Sequence, residues 1–223
     1  MSLWPVISLT LQLAAITTLI LMAISLPLAW WLARTKSTIR PVIEAITSLP
    51  LVLPPTVLGF YLLILMSPDS ALGGFWVTIT GESLTFSFTG LVIASLFYSL
   101  PFAVQPLQAA FMAVPQATID AARTLGATSR DTFLSITLPL ARRGFLTASV
   151  LTFAHTIGEF GVVLMVGGNI PGRTRVISIE IFTAVETLDY ATAHVLSAGL
   201  LVFSFVVLTL VYTLNRRGGA RLA

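Results

Sequence analysis

Charge is confined to short segments of this chain, and between them lie five long apolar runs. Residues 6–33 pass 28 positions without a charged side chain, more than the roughly 20 that an α-helix needs to cross about 30 Å of hydrocarbon. Residues 45–68 form the second run and residues 83–119 the third, which at 37 positions is too long for one untilted crossing. A fourth follows Arg142 and Arg143 and continues to about residue 166, interrupted by one acid, Glu159; residues 195–215 make the fifth. The pattern predicts an all-α, polytopic membrane protein with about five transmembrane helices, and residues 1–223 read as one transmembrane domain. The start Met1-Ser2-Leu3-Trp4 has no basic flank, so the first run reads as a span and not as a cleaved signal peptide.

Prolines predict where these helices bend. Pro27 predicts a kink near the end of the first span, with Trp30 and Trp31 in an interfacial belt. In Leu49-Pro50-Leu51-Val52-Leu53-Pro54-Pro55 each proline removes a backbone donor and clashes with the preceding turn, which predicts a bent second span. In lipid the freed carbonyls must find partners in protein or in a wet cavity. Pro54 and Pro55 are therefore candidates for the wall of a passage, with a packing kink as the other reading. Pro101 and Pro106 predict a division of the third run into a membrane helix and an extension, where Gln105 and Gln108 read as interfacial. Residues 69–82, with Gly73, Gly74 and Gly81, predict a loop on the opposite side.

The fourth span carries Glu159 within Gly158-Glu159-Phe160-Gly161, and His155 lies four residues earlier, on the same face of a continuous helix. An ionisable group at that depth is a functional-site hypothesis by default. Glu159 and His155 are candidates for the path or for packing, the acid pairing with His155 or with a neighbouring helix. Residues 169–193 are polar, with Ile177, Ile181 and Leu188 at near-helical spacing against Glu180, Glu186 and Asp189. They predict a short amphipathic helix at the membrane surface, interfacial or re-entrant.

Residues 114–140 are polar and lie between two spans. Pro115 opens a helix, since a proline near a helix start gives up only an amide that would be unpaired anyway. Gly126 closes it, because the residue after a helix usually needs positive φ. Thr128 then caps a second short helix, with Asp131 at capping-box spacing, and Leu138-Pro139 is expected to stop it. A charged hairpin of this size is too short to fold alone and too polar to enter lipid, so it is expected to dock on a partner.

Composition agrees with the runs. Charged residues are 9% of the chain and apolar residues 56%, against about 25% and 45–50% in soluble domains. The net charge of +3 matters less than its placement, and no nucleic-acid partner is implied. Arg34, Lys36 and Arg40, then Arg123, Arg130, Arg142 and Arg143, then Arg216, Arg217 and Arg221 put ten of the twelve basic residues on one side. The positive-inside rule makes that side cytoplasmic, with the N-terminus outside and the C-terminus inside. Arg173 and Arg175 are left on the outer side. Cysteine is absent, which removes disulfide, thiolate-metal and cysteine-nucleophile chemistry.

The polar stretch resembles the cytoplasmic loop of ABC importer permeases, whose pattern is Glu-Ala-Ala, three residues, Gly, nine residues, Ile-x-Leu-Pro. Here the residues are Asp120-Ala121-Ala122, three residues, Gly126 followed by Ala127, and Ile136-Thr137-Leu138-Pro139, with Asp in place of Glu as the departure. Together with the proline-rich run at 49–55, Gly158-Glu159-Phe160-Gly161 and Asn169-Ile170-Pro171-Gly172-Arg173-Thr174-Arg175, nearly the whole chain is similar to molybdate ABC transporter permeases of the inner membrane. The resemblance implies a type I importer fold, a second permease copy in a homodimer, cytoplasmic ATPase subunits, an extracytoplasmic oxyanion-binding protein and a setting of membrane lipid. It also implies that residues 114–140 couple the spans to the ATPase. No phosphate-binding Gly-x-x-x-x-Gly-Lys-Ser/Thr loop occurs in the sequence, so ATP hydrolysis falls to a partner and this chain is not itself the enzyme. No cofactor or metal is implied.

Other readings make different demands. Sulfate, tungstate or another oxyanion is the rival cargo. A channel or ion-gradient-driven transporter would use His155 and Glu159 as a relay and leave the 120–139 pattern unexplained. An intramembrane hydrolase lacks both a Gly-x-Ser-x-Gly elbow and the three protein ligands usual for catalytic zinc. Arg173 and Arg175 could steer an anion, dock a binding protein, or sit in a solvated turn.

Overall fold

A computed structural model describes residues 3–216 as helices and short connections. Arg217 and Arg221, counted above on the cytoplasmic side, lie outside the described residues. The order is α1 (Trp4–Arg34), α2 (Arg40–Val52), α3 (Pro55–Met66), α4 (Ala71–Thr80), α5 (Phe88–Met112), α6 (Gln116–Thr124), α7 (Ser129–Thr132), a π-helical turn (Phe133–Thr137), α8 (Leu138–Gly158), α9 (Gly161–Gly167), α10 (Ile177–Glu186) and α11 (Tyr190–Arg216). Three of these, α1, α5 and α11, are continuous apolar helices long enough to span a bilayer, and the bent pairs α2–α3 and α8–α9 bring the number to five. That is the number of apolar runs in the sequence.

The centre is the packing of α1, α5 and α8. Leu21, Ala29 and Leu32 of α1 meet Ala103, Val104, Leu107 and Phe111 of α5, and Ala141 and Ala148 of α8 close the cluster. Lipid gives no hydrophobic drive for helices to associate, so close van der Waals contact must supply it, and small residues permit that contact. Ala141, Gly144 and Ala148 form such a row on α8. A Cβ at Gly144 would lie 2.1 Å from Ala110 Cβ and 3.1 Å from Pro106 O, so the two backbones touch there through the missing side chain.

Consecutive prolines break a helix here, and single ones do not. Leu53 and Pro54 each precede a proline and both are extended, at φ −71, ψ 136 and φ −55, ψ 135, because the proline ring excludes the helical conformation from the residue before it. The axis turns by 112° between α2 and α3, which agrees with the bent span expected. Pro27, Pro50, Pro101 and Pro106 all lie inside helices. Pro101 and Pro106 therefore do not divide the third run. α5 is held between α1 and α8, and that packing outweighs one lost backbone bond at each proline.

Two further expectations are corrected. The segment 69–82 contains α4: Ser70 Oγ accepts the Gly73 N–H at 2.9 Å as an N-cap, and Gly81 ends the helix at φ 74. Gly73 is needed there because a Cβ would stand 2.1 Å from Ser67 O. The helix expected in 169–193 exists as α10, with Phe182, Val185 and Glu186 exposed on one side. Its buried residues are Ile177, Ile179 and Ala184, while Leu188 is exposed at φ 60. The other correction is that Leu138-Pro139 does not end the second short helix, since α7 passes through the π turn into α8.

The two half-helices α3 and α9 lie against each other from their first residues onward. A Cβ at Gly161 would fall 2.7 Å from Pro55 Cβ, and one at Gly59 would fall 2.8 Å from Met165 Cβ and 3.2 Å from Val162 Cα. Leu62, Met66, Val162 and Val166 continue the contact. Replacing Gly59 with Leu should therefore wedge α3 from α9 and destabilise the protein by about 1–3 kcal/mol, read as a lower melting midpoint in detergent. Gly199→Leu, where a Cβ meets no atom within 4 Å, should leave the midpoint unchanged.

Candidate functional site

The polar hairpin folds largely as its residues dictate. Pro115 is the N-cap residue of α6, Gly126 takes φ 89, and Thr128 and Asp131 form a reciprocal capping box. Thr128 Oγ1 accepts the Asp131 N–H at 3.2 Å and Asp131 Oδ2 accepts the Thr128 N–H at 3.3 Å. At the far end Leu138 N–H donates to Phe133 O, five residues back. Thr137 Oγ1 donates to Thr132 O at 3.3 Å. Pro139 follows this wider register, in the first turn of α8.

The motif residues divide by direction. Ala122 is buried with Ile119, and they seat α6 on the body of the protein. Asp120, Ala121, Gly126 and Pro139 are exposed, while Ala127, Ile136 and Leu138 are half-buried. Leu125, beside Gly126, is 89% exposed, an apolar knob at the tip of the hairpin. Exposed apolar and small side chains on a rigid turn are the chemistry of a docking surface.

Arg34, the last residue of α1, ties the hairpin to the spans. Its Nη2 donates to Phe111 O at 3.0 Å, in the last turn of α5, and to Val114 O at 3.2 Å, just beyond it, and its Nη1 donates to Gln116 Oε1 at 2.6 Å. A cation at a helix C-terminus is favoured by the helix dipole as well as by these bonds. Gln116 Nε2 passes the connection to Asp120 Oδ1 at 2.9 Å. The guanidinium lies 5.1 Å from the Trp30 ring centroid. A cleft of about 560 Å³ lies between the end of α1 and the hairpin, lined among others by Arg34, Lys36, Gln116 and Arg123. In the sequence Arg34 counted only as a loop charge; its position as the first basic residue after a tryptophan-flanked span was the available signal.

The pair expected in the fourth span is not formed. α8 ends at Gly158 and Glu159 is extended at φ −68, ψ 133, so four-residue spacing no longer places it beside His155. His155 Nδ1 is 3.0 Å from Ser99 Oγ, and its ring stacks on Phe102 at 3.8 Å and Tyr98 at 5.0 Å. Glu159 Oε1 instead accepts the Val162 N–H at 2.9 Å. Pro54 and Pro55 lie at the other break, with Pro55 against Gly161, so the two breaks adjoin, and His155 faces α5. Gln105 and Gln108 donate to Ser48 Oγ at 3.2 Å and Glu44 Oε1 at 2.6 Å, joining α5 to α2.

Arg173 and Arg175 differ. Arg175 is engaged within the chain, with Nε on Asn169 Oδ1 at 2.5 Å and Nη1 on Glu180 Oε2 at 3.3 Å. Arg173 is exposed. Of the two candidates for outer docking, then, Arg173 alone presents its charge freely, and Arg175 braces the 169–175 turn on α10.

Comparison with known proteins places this geometry. The family described as binding-protein-dependent transport system inner membrane component matches residues 25–220. The molybdenum transport system permease protein ModB of Azotobacter vinelandii is 53% identical over 210 residues, covering 94% of this chain and 93% of the relative. The sulfate transport system permease protein CysT of Escherichia coli is 32% identical over 194 residues, 87% of this chain and 70% of the relative. Among solved structures, the inward-facing MetNI methionine ABC transporter superposes with a TM-score of 0.71 at 17% identity, covering 97% of this chain and 99% of that one. A bacterial alginate ABC transporter in complex with a periplasmic protein gives 0.74 at 19% identity, 96% and 78%. An all-helical fold shared with ABC importer permeases and a match across nearly the whole sequence lead to one conclusion: the chain belongs to the family of binding-protein-dependent transport system inner membrane components.

Proposed function

We propose that this chain is the inner-membrane permease subunit of an ATP-driven importer of molybdate, and that residues 114–140 couple its spans to a cytoplasmic ATPase. The observation that carries the cargo is the 53% identity to a molybdenum permease across 94% of the chain, against 32% to a sulfate permease. The partners are cytoplasmic ATPase subunits, an extracytoplasmic oxyanion-binding protein and a second copy of the permease, in a setting of membrane lipid. ATP binding and hydrolysis move the ATPase. The hairpin α6–α7 carries that movement through Arg34 to α1 and α5, and through the π turn to α8. Rearrangement of the spans then opens the path to each side in turn. Selectivity rests with the binding protein, because Glu159 and His155 offer no cationic site for a dianion: Glu159 is an acid engaged with the Val162 N–H, and His155 is engaged with Ser99.

Orientation is testable because the chain has no cysteine of its own. Single cysteines at the exposed positions Thr38 and Ser129 should label only from the cytoplasm, and those at Asp69 and Glu82 only from outside. Labelling of position 129 from outside intact cells would reverse the assignment.

Gly126→Val should uncouple transport. Its φ of 89 is costly for a β-branched residue, so the turn must remodel while the spans remain inserted. ATP-dependent uptake should fall to background with the protein still in the membrane. Normal uptake by this variant would show that the turn does not couple.

Cargo is read from the complete transporter in vesicles. Molybdate-loaded binding protein should stimulate ATP hydrolysis more than sulfate-loaded protein does; equal stimulation would make sulfate the cargo. Arg173→Ala should raise the binding-protein concentration needed for half stimulation, with a smaller difference at high salt, because exposed charges more than about 10 Å apart are largely screened at 0.1 M ionic strength.

A further inference from the structure

Glu159 is an acid buried within an apolar run, 5% exposed, and the coupling hairpin does not explain it. Nor does pairing: among the described residues the ion pairs are Arg40–Glu44 and Arg175–Glu180. What it contacts is the backbone of the break it belongs to. The first amides of a helix have no partner within the helix, and in lipid no water replaces that partner. α9 starts inside the apolar run, and the Glu159 carboxylate supplies an acceptor for its Val162 N–H at 2.9 Å. The backbone carbonyl of Glu159, freed where α8 ends, accepts a short hydrogen bond from Ser178 Oγ of α10. α10 is itself anchored, since its Ile177 N–H donates to Thr10 Oγ1 of α1 at 2.9 Å and Arg175 pairs with Glu180 at 3.3 Å. One residue thus holds the start of α9 by its side chain and the end of α8 by its carbonyl, against an element fixed to α1.

We infer that Glu159 is a positioning residue: as a hydrogen-bond acceptor, and not as a charge or a proton carrier, it sets the 60° angle between α8 and α9. Through the Pro55–Gly161 and Gly59–Met165 contacts it also sets the placement of α3. This rests on the reading of the spans as a transport path. It makes α3 and α9 one body that turns about the Glu159 and Pro54 breaks, while the hairpin at the other end of α8 keeps its own geometry.

The test uses the complete reconstituted transporter, and wild-type uptake is measured first. Absence of oxyanion uptake by the wild type would defeat the transport reading and not this one. Glu159→Gln keeps the acceptor oxygen and removes the charge, so uptake per ATP hydrolysed should stay within about twofold of wild type, whereas Glu159→Ala, which strands the Val162 amide, should lower it roughly tenfold while ATP hydrolysis continues. Spin labels on cysteines at Leu146 of α8 and Ile64 of α3, both exposed, report the hinge through the body that α3 forms with α9. Their distance distribution should be narrow in wild type and Glu159→Gln and broad in Glu159→Ala. Ser178→Ala, which removes the second tie with less disturbance, should broaden it to a smaller degree. Loss of uptake in Glu159→Gln equal to that in Glu159→Ala would assign the role to the charge or proton. A narrow distribution in both alanine variants would show that neither bond sets the angle. Either result overturns the inference.

Discussion

Every backbone amide and carbonyl that leaves a helix within the apolar runs must be given a partner by the protein, because hydrocarbon offers none. The two broken spans are built around that constraint. At the first break the donors are removed by chemistry, since Pro54 and Pro55 have no N–H to satisfy. At the second, the Val162 amide is met by the Glu159 carboxylate and the Glu159 carbonyl by Ser178. The breaks then share a surface, because Gly161 and Gly59 let α9 and α3 approach to backbone contact. A buried acid that would be a liability as an unpaired charge becomes a structural acceptor.

The other end of the molecule meets the same constraint with a cation. α5 ends at the base of the hairpin, and Arg34 from α1 donates to the carbonyl of Phe111 in its last turn and to that of Val114 just beyond it. The same guanidinium reaches Gln116, the first residue of α6, so the end of one span, the end of another and the start of the hairpin share one hydrogen-bonded node. The π turn supplies the second connection, because it carries α7 into α8 without a stop. The hairpin is joined to three spans on one side and presents Asp120, Ala121 and Leu125 on the other. That division suits an element which receives a push and passes it on.

Much of this was legible in one dimension. Apolar runs longer than a bilayer, the basic residues grouped at alternate polar segments and the cap and stop chemistry of Pro115, Gly126, Thr128 and Asp131 are local properties, and each can be read without knowing what it packs against. Consecutive prolines at 54 and 55 belong with them, since their effect on the preceding residue is steric and immediate. The spans, the bend and the hairpin turn all lie where these signals put them.

Tertiary structure decided what local rules leave balanced. Pro101 and Pro106 could have broken α5, and α1 and α8 packed around it kept it whole. Gly73 looked like loop and lies in a helix, where the carbonyl of Ser67 occupies the space a side chain would fill. The outward or inward face of α10 depended on which neighbour was there to cover Ile179. His155 and Glu159 were four apart in sequence, and only the break between α8 and α9 separated them and gave each its own partner. Sequence by itself determined the five apolar runs, the bend at Pro54 and Pro55, the hairpin turn at Gly126 and the placement of charge, because those depend on each residue and its near neighbours. The partners of a buried polar group come from distant segments, so only the assembled structure could say that Arg34 reaches the end of α5 and that the Glu159 carbonyl meets Ser178.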